Sequence, residues 1–458
     1  MKNNFLRISV FLFGFLNIVN YFFPLKQLPF ITSALLLYII VVSLFNMPRL
    51  NIFVCGGMFV IASAIMFYVK ADFLQWVSGL NKNGLLIALF VCGPLLSLPF
   101  SYENYQGELK NISRLYMHTL IPFALLIAMP MHIFAALTGF AALTIMYTLF
   151  SQTGKLYGSQ DIFISTLVRS YVSSGFWGTS WVSVMLVVSE LHIPWYRLIM
   201  MNLIYAPVAI AINLAGIKIA MLRHPGQYPK LTPDPDTKVD WRKVAIMFGL
   251  AVTIVLVILV INLSSGWNLL AIVPMVSMLF PLITALIQNK KTELKSGLKN
   301  YYDKALFKCR TEVFLFSSAG LLAHALEISG VGNAIPGLIP RFLISYPYFM
   351  IIALMLLVIL LGQLGIHPAV TGTTLVAVIA PASIGLSVPS FALTIICAWL
   401  LSNMLSPFSA LNLTMSGLCG KNTWYTGLRL NWRYAIVCML IYGAMNLTLS
   451  PLLGNPVP

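Results

Sequence analysis

Residues 162–190 read Ile162-Phe-Ile-Ser-Thr-Leu-Val-Arg169-Ser-Tyr-Val-Ser173-Ser174-Gly-Phe-Trp177-Gly-Thr179-Ser-Trp181-Val-Ser-Val-Met-Leu-Val-Val-Ser-Glu190. The run is apolar at both ends and long enough to cross a hydrocarbon core, which takes ~17–25 residues. Its middle, Ser173 to Thr179, consists of small, hydroxylated and aromatic residues that hold a helix poorly. A break at bilayer depth frees backbone N–H and C=O groups that no water can satisfy, at a cost of several kcal/mol each. Such a break suggests a site.

The whole chain fits that setting. Of 458 residues, 59% are hydrophobic and 9% charged, where a soluble protein carries roughly 25% charged residues. This excludes a soluble enzyme, a secreted disulfide scaffold and a disordered chain, and leaves a polytopic membrane protein. The net charge of +16 is not a nucleic-acid signature, because the basic residues lie between apolar runs and form no arms. Six cysteines without metal-ligand spacing read as free thiols. Lys2 and Arg7 precede an apolar run as in a signal peptide, but no small-residue cleavage site follows, so the run is expected to be a first span.

Spans are expected near 5–23, 28–46, 50–69 and 83–100, then at 162–190, 195–221, 243–263, 266–289, 311–327, 388–418 and 432–450. The long runs 115–150 and 346–384 carry breaks of their own and suit an inner and an outer re-entrant hairpin. With eleven crossings and the N-terminus inside, 22 Lys and Arg fall on the inner side, five on the outer, and Arg169 within a span. That bias follows the positive-inside rule and places the C-terminus outside. Thirteen full crossings would leave the final orientation unchanged but put Trp and Gly/Pro breaks in lipid. Segments 101–114 and 331–344 precede the two hairpins and could lie in the interface, or, for the second, form a plain loop.

A shift of 229 residues lays Ser173–Ala206 over Ser402–Ala435, matching Ser173/Ser402, Ser180/Ser409, Trp195/Trp424, Tyr196/Tyr425, Asn202/Asn431 and Tyr205/Tyr434. A shift of 233 aligns Ile133–Gly139 with Ile366–Gly372. The two copies have opposite orientation in this topology, and inverted repeats with interrupted helices at matching places mark secondary transporters. The fold expected is an all-α polytopic membrane protein, about eleven transmembrane helices plus two hairpins in two inverted-topology repeats. The first repeat covers 1–221, a cytoplasmic loop 222–242, and the second repeat 243–458.

Four breaks supply chemistry: Thr138-Gly139, Ser173 to Thr179, Thr371-Gly372-Thr373, and Ser402-Asn403 through Ser406 to Ser409. Helix N-termini beyond a break suit an anion; carbonyls and hydroxyls before it suit a hard cation such as Na⁺. Arg169, two turns into its span, is either an anion ligand or a side chain snorkelling to the inner surface. His132 and His367 lie near the hairpin tips and His324 in a later span; each reads as a titrating or donating group or as a satisfied interior histidine. Asp161 and Glu312 fall at inner span ends and Glu327 at an outer one, so a carboxylate proton relay lacks its parts. No Walker loop, zinc motif or Gly-x-Ser-x-Gly is present, which speaks against ATP-driven transport and against an enzyme.

Val370-Thr-Gly-Thr-Thr-Leu-Val-Ala-Val-Ile-Ala-Pro381 and Ser402-Asn-Met-Leu-Ser-Pro-Phe-Ser-Ala-Leu-Asn412 resemble a hairpin tip and the following broken helix of the ion transporter superfamily, within it the divalent-anion/sodium symporter group. The resemblance extends to the order of crossings, hairpins and broken helices. It implies that Thr371, Gly372 and Thr373 act as the second tip, Thr138 and Gly139 as the first, with Ser173, Ser174, Ser402, Asn403 and Ser406 at the breaks. It further implies two sodium sites, an anion held between the tips, and an elevator motion against a dimerising scaffold. Neither tip carries the group's Ser-Asn-Thr, and the first has Phe140 in place of a polar residue.

The expected function is secondary transport of a small organic anion, carboxylate in type, across the inner membrane with Na⁺ or H⁺. Substrate contacts are expected from Thr138, Gly139, Ser174, Thr371, Gly372, Thr373, Asn403, Arg169 and His367. Cation contacts are expected from Thr138, Ser173, Ser174, Thr179, Thr371, Ser402, Asn403 and Ser406. No cofactor beyond Na⁺ is implied; the partners expected are the solute, membrane lipid and a second copy of the chain. Two alternatives remain: a flippase for a lipid-linked substrate, entering past aromatics such as Trp177 and Trp181, and the membrane subunit of a binding-protein-dependent transporter.

Overall fold

Where no water is available, a helix lets one segment satisfy its own backbone. The computed structural model of the chain describes residues 2–453 apart from 46, 48, 104, 117–118, 139–140, 179–180, 229, 231, 233–235, 331–336 and 338. Among the described residues there is no strand. The first half forms α1 (Lys2–Phe22), α2 (Leu28–Leu44), α3 (Arg49–Tyr68), α4 (Phe73–Asn81), α5 (Gly84–Cys92), α6 (Tyr105–Tyr116), α7 (Leu120–Thr138), α8 (Ala141–Leu156), α9 (Gln160–Ser174), α10 (Val182–Leu191) and α11 (Trp195–Arg223). The second forms α12 (Trp241–Ser265), α13 (Leu269–Ile287), α14 (Lys291–Asn300), α15 (Leu306–Ile328), α16 (Arg341–Ser345), α17 (Pro347–Gln363), α18 (Pro368–Val378), α19 (Val388–Leu405), α20 (Ala410–Cys419) and α21 (Leu430–Leu449). A π-helical turn, Tyr425–Arg429, leads into α21.

Eight of the described helical runs are long and apolar enough to cross a membrane, with mean hydropathy from 1.2 to 3.2. Shorter apolar helices such as α2, α17 and α18 lie between them. Val252, Leu256, Val260 and Leu263 of α12 are each more than half exposed. In water that stripe would be an aggregation surface; against acyl chains it is an ordinary lipid face. The chain is a multi-pass helical membrane protein. All six cysteines are unpaired thiols.

Helix α15 packs on α2, α3, α4 and α5, with α13 against α5. A second group joins α7 to α8, α9 and α11, and α19 to α17, α18, α21, α9 and α10. The two groups touch where α18 meets α15 and α10 meets α13. Helix α19 is the centre: every residue from Pro389 to Leu405 is buried. Its run of apolar side chains on all faces fits such a position.

Hydroxyl caps fix the starts of the helices around that centre. Ser159 accepts the Ile162 N–H ahead of α9, Ser387 the Ser390 N–H ahead of α19, and Ser409 the Asn412 N–H ahead of α20, each at 3.2 Å. A cap of this kind contributes about 1 kcal/mol.

Several boundaries differ from the sequence expectation. The fourth span starts at Phe73 rather than 83, because Asp72 and Gln75 form a reciprocal capping box that launches α4. Residues 291–300, between the expected spans 266–289 and 311–327, form α14. Helix α7 continues through Pro130 to Thr138; of the break expected at Thr138-Gly139, Gly139 lies outside the described residues. Residues 101–114 yield α6, whereas 331–336 and 338 lie outside the described residues.

Candidate functional site

The run 162–190 is interrupted. Helix α9 ends at Ser174 and α10 begins at Val182. The freed carbonyls close locally: Val172 O accepts the Gly175 N–H at 2.9 Å, and Ser174 O accepts the N–H groups of Gly178 at 2.9 Å and Trp177 at 3.3 Å. A Cβ on Gly175 would stand 2.5 Å from a Leu400 methyl group of α19. Only glycine lets the first break approach α19 so closely.

His132, one face of α7, fastens this break. The Trp177 indole N–H donates to His132 Nδ1 at 3.0 Å. An accepting Nδ1 carries no proton, so the neutral ring holds its hydrogen on Nε2 and donates it to Ser173 Oγ at 2.9 Å. Ser173 in turn donates to Ser170 O at 3.2 Å. The two rings lie parallel, 4° apart. His132 is thereby an anchor for Trp177, a partnership that sequence spacing did not reveal.

The second hairpin turns at Leu364–His367. Gly365 takes a φ of +91°, a left-handed conformation suited to glycine. His367 caps α18, its Nδ1 accepting the Ala369 N–H at 3.1 Å, and Pro368 follows as the first helical residue. Thr371, Gly372 and Thr373 therefore do not form the tip itself, contrary to the sequence reading; they lie in the second turn of α18. Thr373 Oγ1 donates to Ala369 O at 2.6 Å. Thr371, only 6% exposed, leaves its hydroxyl without a partner, as does Thr374 one helical turn on. Both amide atoms of Gln363, at the end of α17, are buried and unpartnered too.

At the second break, α19 ends at Leu405 and α20 begins at Ala410. Ser402 Oγ donates to Val358 O at 3.0 Å and Ser406 Oγ to Gly362 O at 2.6 Å, stitching α19 to α17. Asn412 Nδ2 reaches back to the Met404 and Ser406 carbonyls at 2.8 and 2.9 Å. These bonds use the hydroxyl protons and leave oxygen lone pairs able to accept or to coordinate. Asn403 differs: it is 7% exposed and its side chain makes no hydrogen bond among the described residues.

The two halves meet here. A Cβ on Gly372 would lie 2.8 Å from the Trp399 ring, and His367 stands edge-on to the same ring. Asn403 follows Trp399 by four residues and shares its face. Pro368 has no N–H and His367 takes those of Ala369, Val370 and Thr371, so the first turn of α18 offers no free backbone donor. The unpartnered Thr371 and Thr374 hydroxyls and the Gln363 amide make a polar locus: they can donate to an anion, and their oxygens suit a hard cation. Thr374, Gln363 and Trp399 are parts the sequence reading missed. Thr374 could have been found from its spacing of three to Thr371.

Arg169 is not part of that locus. Its Nε donates to Asn431 Oδ1 and its Nη1 to Asn213 Oδ1, both at 2.9 Å, and its Nη2 to Leu430 O at 2.7 Å. Its guanidinium also lies 4.7 Å over the Tyr434 ring. The side chain that sequence alone offered as an anion ligand is spent on tying α9 to α11 and α21. Ser174 Oγ donates to Tyr171 O at 2.7 Å within α9. Gly139 and Thr179 lie outside the described residues, as does the side chain of Thr138. Trp181 is buried, and Trp177, half-buried, gives its indole N–H to His132. No known family model matches the chain, and no curated protein matches it.

Proposed function

We propose that the chain is a secondary transporter for a small organic anion, taking the solute at the locus between α18, α19 and the first break. The observation that supports this most is the set of buried polar atoms without a protein partner on the two hairpin arms, the Thr371 and Thr374 hydroxyls and the Gln363 amide, with Asn403 on the Trp399 face of the interrupted helix α19. Unpartnered polar groups in a hydrocarbon setting are costly, and a bound solute and coupling ion would relieve that cost. The Thr371 and Thr374 hydroxyls and the Gln363 amide would donate to the carboxylate. Hydroxyl oxygens of Thr371, Ser402 and Ser406 with the Asn403 carboxamide would suit Na⁺, with H⁺ as the other coupling ion. By resemblance to the divalent-anion symporters, the group around α19 would move as an elevator against the group around α15, in a homodimer in the inner membrane with the C-terminus outside.

A thermal-shift screen of the purified chain against small organic acids, with and without sodium, tests the reading. Stabilisation by an acid that Asn403→Ala and Thr371→Ala abolish supports it. Stabilisation that survives both substitutions contradicts the placement of the site.

A further inference from the structure

The Trp-Tyr pair that recurs in the sequence has two different fates. In the first copy Trp195 opens α11 and is 2% exposed. In the second copy the chain enters α21 through the π-helical turn Tyr425–Arg429, and Trp424 is 51% exposed. A π turn holds an extra residue and is a frequent mark of functional positions. Here it opens a groove of about 510 Å³ lined by Asn422, Trp424, Tyr425, Leu428, Arg429 and Trp432.

The rim of this groove is cationic. Lys421 Nζ lies 5.5 Å and the Arg429 guanidinium 4.9 Å from the Tyr425 ring centre, and the Arg433 guanidinium lies 5.1 Å from that of Trp432. No carboxylate pairs with these three cations among the described residues. The nearest acid engaged at the groove, Asp161, accepts the Tyr425 hydroxyl at 2.6 Å and so holds that ring in place. Below the rim, Trp432, Ile436 and Leu440 recur every four residues on α21, each 45% exposed. They form a continuous apolar stripe down the outer face of the last span.

We propose that this groove binds the headgroup of an anionic phospholipid from the leaflet on the basic side of the protein. The phosphodiester sits between Arg429, Lys421 and the Asn422 amide. The glycerol backbone lies over the Trp424 and Trp432 rings, at the depth where tryptophan ordinarily settles. One acyl chain follows Trp432, Ile436 and Leu440. Charge, aromatic rim and apolar stripe occur in the order that a phospholipid presents them along its length. A soluble phosphate would use only the first.

Native mass spectrometry of the full chain, released from detergent with defined lipids, is the test. Phosphatidylglycerol should remain bound as a discrete adduct and phosphatidylcholine should not, while glycerol phosphate and inorganic phosphate should give none. Arg429→Gln should lower the phosphatidylglycerol adduct about fivefold, in line with one lost surface charge. Trp432→Ala should lower it as well, whereas Lys291→Gln on α14 should leave it unchanged. All these substituted side chains are exposed, so the fold is retained. Equal retention of phosphatidylcholine, an adduct unaffected by Arg429→Gln, or equal binding of glycerol phosphate would each overturn the proposal.

Discussion

At the scale of the residue, the contrast between Arg169 and Asn403 governs what can be expected. Arg169 is fully engaged as a clamp; Asn403 is nearly buried with nothing to bind. Arg169→Met should therefore lower thermal stability by about 2 kcal/mol or more, since each of its three bonds is worth ~0.6 kcal/mol in a membrane setting and two asparagines lose their partner. Solute-dependent stabilisation of the purified variant should persist. Asn403→Ala should do the reverse, keeping the unfolding midpoint near that of the parent while weakening solute binding roughly tenfold or more, ~1.4 kcal/mol. The sequence could not separate these two residues, because an intramembrane arginine is conspicuous and an asparagine beside a break is not. What distinguishes them is partners supplied from 44 and 262 residues away.

Elements depend on glycine where helices cross. A Cβ on Gly362 would stand 2.2 Å from Ser402 Oγ, so Gly362→Ala must either turn that hydroxyl away and break its bond to Val358 or push α17 from α19. Overpacking of this kind costs about 1–3 kcal/mol. The unfolding midpoint in detergent should fall, and Ser402→Ala in the same chain should recover part of the loss by removing the clashing oxygen. The breaks after Ser174 and Leu405 were legible in the sequence because Gly, Pro and Ser clusters interrupt apolar runs there. The turn of the second hairpin was misplaced by several residues, onto Thr371 to Thr373. Pro368 and the capping His367 already announce a helix start there, but the Thr-Gly-Thr pattern outweighed them. Helix α4 was missed because Asp72 and Gln75 read as loop polarity until they are seen to cap each other.

For the whole molecule, the helical membrane class followed from 9% charged residues and long apolar runs. Which helices gather around α19 did not, since contacts between apolar faces leave no periodic signature that tells one partner from another. The charge asymmetry gives a topology that can be checked on intact cells. In a chain lacking its native cysteines, Lys26→Cys should react with an impermeant thiol reagent and Lys295→Cys should not; both side chains are exposed, so labelling reports sidedness. The opposite pattern would invert every assignment of inner and outer surface.

The most direct measurement is uptake of the acid identified by thermal shift into proteoliposomes, with an imposed sodium or proton gradient. The expected result is accumulation that needs the gradient, and that Thr371→Ala and Asn403→Ala abolish while Arg169→Lys retains it. Absence of gradient-driven accumulation by the parent chain, or accumulation unaltered in both variants, would contradict a transport site between α18 and α19.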